Sequence, residues 1–130
     1  MSLQAKFQQA SIEFQNLQAD LTKVVDARQR LDAQLSENEL VKKEFASLTP
    51  ENTVYKLIGP ILVKQDQDDA KNNVDRRLDF IRGEIRRVEG QIKDIEEKQE
   101  KRKVELVQLQ TALQQQASKT STSPSSTITA

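Results

Sequence analysis

Arg76, Arg77, Arg82, Arg86 and Arg87 crowd one short stretch of the chain. A stripe of guanidinium groups could grip a nucleic-acid backbone, provided that its positive charge is uncompensated. Here Asp75, Asp79, Glu84 and Glu89 interleave the arginines at spacings where helical neighbours pair. No run of stacking aromatics accompanies them, Phe80 being the single aromatic of the stretch. The stretch reads as a solvated, salt-bridged face, and no nucleic-acid partner is expected.

Catalysis has less to work with. The absence of His and Cys removes the commonest general base and metal ligand, along with thiolate nucleophiles and disulfides. "GPILVK", residues 59–64, lacks the second glycine and the Lys-Ser/Thr pair of a phosphate-binding loop. Carboxylates abound, but nothing suggests a concave pocket to raise a pKa or exclude water. A non-enzyme is expected, with no cofactor and no metal. Twenty basic residues balance twenty acidic ones, so no global field favours nucleic acid or an anionic membrane. With no signal peptide and no bilayer-length apolar run, the expectation is a soluble cytoplasmic protein without a membrane partner.

The elements behind this surface are long and simple. Only 35% of the 130 residues are hydrophobic and 4% aromatic, while 31% are charged. A chain of this kind stays disordered or buries a narrow seam between long helices. Heptads favour the second. Leu3, Phe7, Ala10, Phe14, Leu17, Leu21, Val24, Arg28, Leu31 and Leu35 step by four and three, the mark of a coiled-coil seam. Asn38 follows in register, and the seam is then expected to slip one residue early to Val41, Phe45 and Leu48. Pro50 stops the helix. A second seam runs through Val74, Leu78, Ile81, Ile85, Val88, Ile92, Ile95, Gln99, Arg102, Leu106, Leu109 and Leu113. Arg28, Gln99 and Arg102 interrupt the seams, and polar residues there commonly fix register at a cost in stability.

The expected fold is mainly α: a long antiparallel two-helix coiled coil whose helices are joined by one β-hairpin. The expected boundaries are helix 1 over about 3–48, a hairpin over about 53–64 and helix 2 over about 67–116, making one domain of residues 1–117. The remainder, 118–130, "SKTSTSPSSTITA", reads as a disordered Ser/Thr-rich tail.

"VYKLIGPILV", residues 54–63, is the one stretch that reads as strand. Taken alone it could plug the end of the helical pair or serve as an assembly device. Val54, Lys56 and Ile58 point one way, Tyr55 and Leu57 the other, so apolar groups lie on both faces. An isolated hairpin is marginal in water, and two helix ends can hardly cover a second face and two strand edges. Val54, Tyr55, Leu57, Ile58, Ile61, Leu62 and Val63 are therefore the candidate subunit-assembly residues.

With "NTVYKLIGPILVKQD" at the junction of two heptad helices, the chain resembles β-class prefoldin subunits. "ARQRLDAQLSENELVKKEF" before it and "NVDRRLDFIRGEI" after it extend the likeness over residues 5–113 or so. The resemblance implies a subunit of a hexameric, ATP-independent holdase. In that family, hairpins from several subunits join into a barrel body, and the coiled-coil tips hold unfolded actin and tubulin for delivery to the group II chaperonin. The implied partners are other prefoldin subunits, those clients and that chaperonin. At the expected tips, Ile12, Val104 and Val107 count to outward positions, with Leu3, Phe7, Leu109 and Leu113 at fraying seam positions. These seven are the candidate client-binding residues. A structural scaffold or tether would fit the heptads equally well, but has little use for the hairpin.

Overall fold

The computed structural model describes residues 2–122. Helices α1 (Leu3–Ala46) and α2 (Gln67–Thr122) flank strands β1 (Val54–Ile58) and β2 (Ile61–Gln65). Each helix starts on a side-chain cap. Ser2 Oγ accepts the Ala5 N–H at 3.1 Å, and the Asp66 carboxylate accepts the Asp69 N–H at 3.3 Å. Asp68 and Asp69 add negative charge at the positive end of α2.

The connection into the hairpin is held by its own polar groups. α1 ends at Ala46, two residues short of Leu48, because its last turn tightens. The Ser47 and Leu48 N–H groups donate to carbonyls three residues back, on Glu44 and Phe45. A turn over 49–52 follows, with Pro50 at its first central position and the Asn52 N–H donating to the Thr49 carbonyl at 3.0 Å. The Gln67 amide then donates to the Thr49 and Asn52 carbonyls at 2.8 and 2.6 Å. This stitches the start of α2 to the exit of α1.

β1 and β2 pair antiparallel, with Ile58 opposite Ile61 and Leu57 opposite Leu62. The loop is Gly59-Pro60, and Gly59 has φ of 59°, the arrangement of a type II′ turn with Gly at the first central position. The pairing reaches Gln65, one residue beyond the expected hairpin.

The chain forms two compact units: a hairpin unit over Val24–Gln91, and a terminal unit from the segments up to Lys23 and from Ile92 onward. In the hairpin unit Lys42, Glu39 and Arg28 meet Asp75, Arg82 and Glu89 in turn, so the helices run antiparallel. The terminal unit shows the same sense, with Gln18 meeting Gln99 and Glu13 meeting Arg102.

The core sits mainly in the hairpin unit. Ala70, Val74, Leu78, Ile81 and Val88 are buried there, and Leu78 is wholly inaccessible. The seam residues of α2 from Ile92 to Leu113 are half-buried, as are Phe7, Phe14, Leu17 and Leu21 on α1, where only Ala10 is fully buried. Seams of this kind close fully only where both sides are apolar, and Gln99 and Arg102 interrupt this one.

Two expectations change. Past Asn38 the seam is open: Val41, expected in it, is exposed together with Lys42, while Phe45 and Leu48 are half-buried. The Lys42 ammonium lies 3.1 Å from the Asp75 carboxylate. α2 also continues through Thr122, past the expected end at about residue 116. No proline intervenes before Pro124, and the Thr120 hydroxyl bonds back to the Gln116 and Ala117 carbonyls. The rest of the expected tail lies outside the described residues.

Gly83 and Gly90 stand on α2 with nothing within 4 Å of where a Cβ would sit. Each Gly→Ala substitution will therefore stabilise the chain by about 1 kcal/mol. Thermal melting followed by circular dichroism will show a higher midpoint for the double substitution than for either single one.

Candidate functional site

The hairpin offers its apolar groups to solvent on both faces. Tyr55, Leu57 and Leu62 share one face, and Ile58, Ile61 and Val63 the other, as their pairing requires. Relative exposures run from 43% at Val63 to 67% at Leu57. Val54, nearest the helices, is half-buried. A plug would bury one face against its own helix ends, and neither face is buried. The sheet has two strands, so each strand also carries a free edge.

The terminal unit holds all seven expected client-binding residues. Ile12, Val104 and Val107 are 51%, 48% and 57% exposed, in keeping with outward heptad positions. Val104 and Val107 are one turn apart on α2 and form a small patch, whereas Ile12 belongs to the other helix and stands apart from them. Leu3, Phe7, Leu109 and Leu113 are half-buried.

Each polar interruption of the seams finds a partner on the opposite helix. Arg28 Nη2 lies 2.8 Å from Glu89, the Gln99 amide donates to Gln18 at 2.8 Å, and Arg102 Nε lies 2.9 Å from Glu13. Arg102 also donates to Glu105 at 2.7 Å, and these two carboxylates raise its pKa further. Such exposed pairs add little stability, but they penalise a shifted alignment of the helices. Three of the five arginines of the stripe are likewise engaged: Arg82 with Glu39 and Asp79, Arg87 with Glu84, and Arg77 with Asn38. The hydrogen bond from Arg87 holds the Glu84 carboxyl below the usual carboxylate range, so the pair is ionised at neutral pH.

Two exposed residues escaped the sequence reading. Leu40 is 62% and Phe80 68% exposed. The same heptad count places both off the seam, so the signal was present.

An exposed two-faced hairpin between paired heptad helices is the architecture expected of one family. The family model described as "Prefoldin subunit" matches residues 8–119. The chain belongs to the prefoldin family. It is 46% identical over 112 residues to prefoldin subunit 6 of Bos taurus, covering 86% of this chain and 87% of that one. To the Arabidopsis thaliana prefoldin subunit 6 it is 40% identical over the same length, covering 86% and 87%. This agrees with the likeness of the sequences flanking the hairpin to eukaryotic prefoldin subunit six. Among solved structures, the prefoldin beta subunit from Thermococcus strain KS-1 superimposes with a TM-score of 0.74 at 26% identity, covering 83% of this chain and 92% of that one. Prefoldin membership makes the chain a subunit of a chaperone complex, and sets aside the free-standing scaffold.

Proposed function

We propose that this prefoldin subunit enters a hexamer through its hairpin and holds unfolded proteins, actin and tubulin among them, on the exposed apolar residues of its terminal unit. The complex works without nucleotide in the cytoplasm and passes its clients to the group II chaperonin. The exposure of both hairpin faces carries this reading, since such a hairpin is stable only when another chain covers it.

Holding calls for weak and reversible contact, because tight binding would block transfer. Val104 and Val107 offer a small apolar patch, and Ile12 a separate one. Several subunits gripping one client reach useful avidity from such contacts by raising each other's effective concentration. Replacing Ile12, Val104 and Val107 with Ser will leave helicity and assembly intact, because none of them packs in the seam. It will reduce protection of a diluted, denatured client by roughly a fewfold at most, since the other subunits still hold it. Light scattering at matched complex concentration measures this. Equal protection by wild type and triple mutant removes these side chains from the client-binding surface.

A further inference from the structure

Main-chain pairing of the hairpin ends where Val54 meets Gln65, yet a side chain carries the connection two residues further. Counted along the same register, Asn52 stands opposite Gln67, the first residue of α2. The Gln67 amide has two hydrogens to donate. One goes to the Asn52 carbonyl at 2.6 Å and the other to the Thr49 carbonyl at 2.8 Å. These acceptors are themselves fixed, because Asn52 Oδ1 accepts the Thr49 N–H at 2.8 Å and the Thr49 hydroxyl at 3.1 Å. A closed turn before β1 is thereby clasped to the start of α2 across the base of the hairpin.

Neither helix end depends on this clasp. α1 finishes on its own tightened turn, and the Asp66 carboxylate caps α2 through the Asp69 N–H. The strands pair without it as well. What it holds is the hairpin against the helix ends. Every strand residue except Val54 and Gln65 is exposed, so the hold of the helices on the hairpin is confined to its base. A hairpin free to swing there would have to be ordered as it met another subunit, and ordering a segment on binding costs affinity.

We propose that Gln67 is a positioning residue for assembly: its two hydrogen bonds fix the direction in which the hairpin leaves the helix ends, so that it meets neighbouring prefoldin subunits already oriented. This inference rests on the hairpin reading above and extends it. Gln67 acts through Thr49 and Asn52 and needs no contact with the neighbour.

The test uses the complex co-expressed with its partner subunits, and two substitutions of similar side-chain length. Gln67→Met removes both donors and keeps a good helix former. Gln67→Glu removes them and turns a carboxylate toward two carbonyl oxygens, but its negative charge favours the N-terminus of α2. A role confined to the helix start predicts that Gln67→Glu assembles at least as well as wild type, whereas positioning predicts the reverse. On dilution both variant complexes will dissociate at a concentration raised about tenfold, within the reach of two lost hydrogen bonds. The isolated chains will keep their helical melting midpoint by circular dichroism, with Gln67→Glu no lower than wild type. A Gln67→Glu complex that dissociates like wild type overturns the inference. So does weakened assembly of both variants that tracks a lowered melting midpoint, which would make Gln67 a residue of the fold alone. Ile58→Asp with Leu62→Asp serves as the hairpin comparison. Its exclusion beside normally assembling Gln67 variants overturns the positioning role and leaves the hairpin reading standing, whereas its normal assembly removes that reading and this inference with it.

Discussion

Replacing Ile58 and Leu62 together with Asp will eject the chain from its complex while leaving both helices folded. The strand register places these residues on opposite faces, Ile58 beside Ile61 and Leu62 beside Leu57. At 54% and 64% exposure, neither supports its own chain by burial, so the free subunit tolerates the change. In a shared sheet each carboxylate must leave water without a partner, at a cost of several kcal/mol. A hairpin of marginal intrinsic stability has nothing to offset that. Co-purification with tagged partner subunits measures the effect, and circular dichroism checks the helices. Recovery of the doubly substituted chain in normal amount contradicts the assembly role of the hairpin.

The opposite pattern is expected for Leu78→Ala, which acts on the fold. Leu78 has no exposed surface and stands on α2 between the buried Val74 and Ile81. Truncation loses the transfer free energy of the missing carbons and leaves a cavity, together costing about 2–5 kcal/mol. A native domain has only about 5–15 kcal/mol in total. The melting temperature of the isolated chain will fall by roughly 10 °C or more. Leu106→Ala, at a half-buried seam position, will cost distinctly less. Equal losses at the two positions would contradict a core concentrated in the hairpin unit.

Most of this architecture was legible because a two-helix seam repeats one decision many times. Steps of four and three located the interior of α2 residue by residue, from Val74 to Leu113. Gly59-Pro60 between two β-rich runs located the turn, since a positive φ at the first central position suits Gly and a fixed φ at the second suits Pro. The failures are local. Val41, expected in the seam, is exposed, and beside it the exposed Lys42 pairs with Asp75 across the helices. The end of α2 was hidden by composition: Ser and Thr favour disorder in general, but a helix already propagating can continue through them while their hydroxyls bond to the preceding turn.

The candidate surfaces were legible in the same uneven way. Outward heptad positions identified Ile12, Val104 and Val107, and alternation along the strands identified both hairpin faces. What the count did not convey is adjacency. It drew the three terminal residues into one group, whereas Val104 and Val107 adjoin on α2 and Ile12 is on α1. Leu40 and Phe80 do not stand out in the sequence, because single exposed apolar residues are common on any surface.

The central claim is that the chain serves a complex which holds unfolded proteins without nucleotide. The most direct measurement dilutes chemically denatured actin into nucleotide-free buffer, with and without the assembled complex containing this subunit, and follows light scattering. Scattering suppressed in proportion to complex concentration, and unchanged by ATP, is the predicted result. Scattering that rises as it does in buffer alone, or that falls only when ATP is supplied, would contradict it.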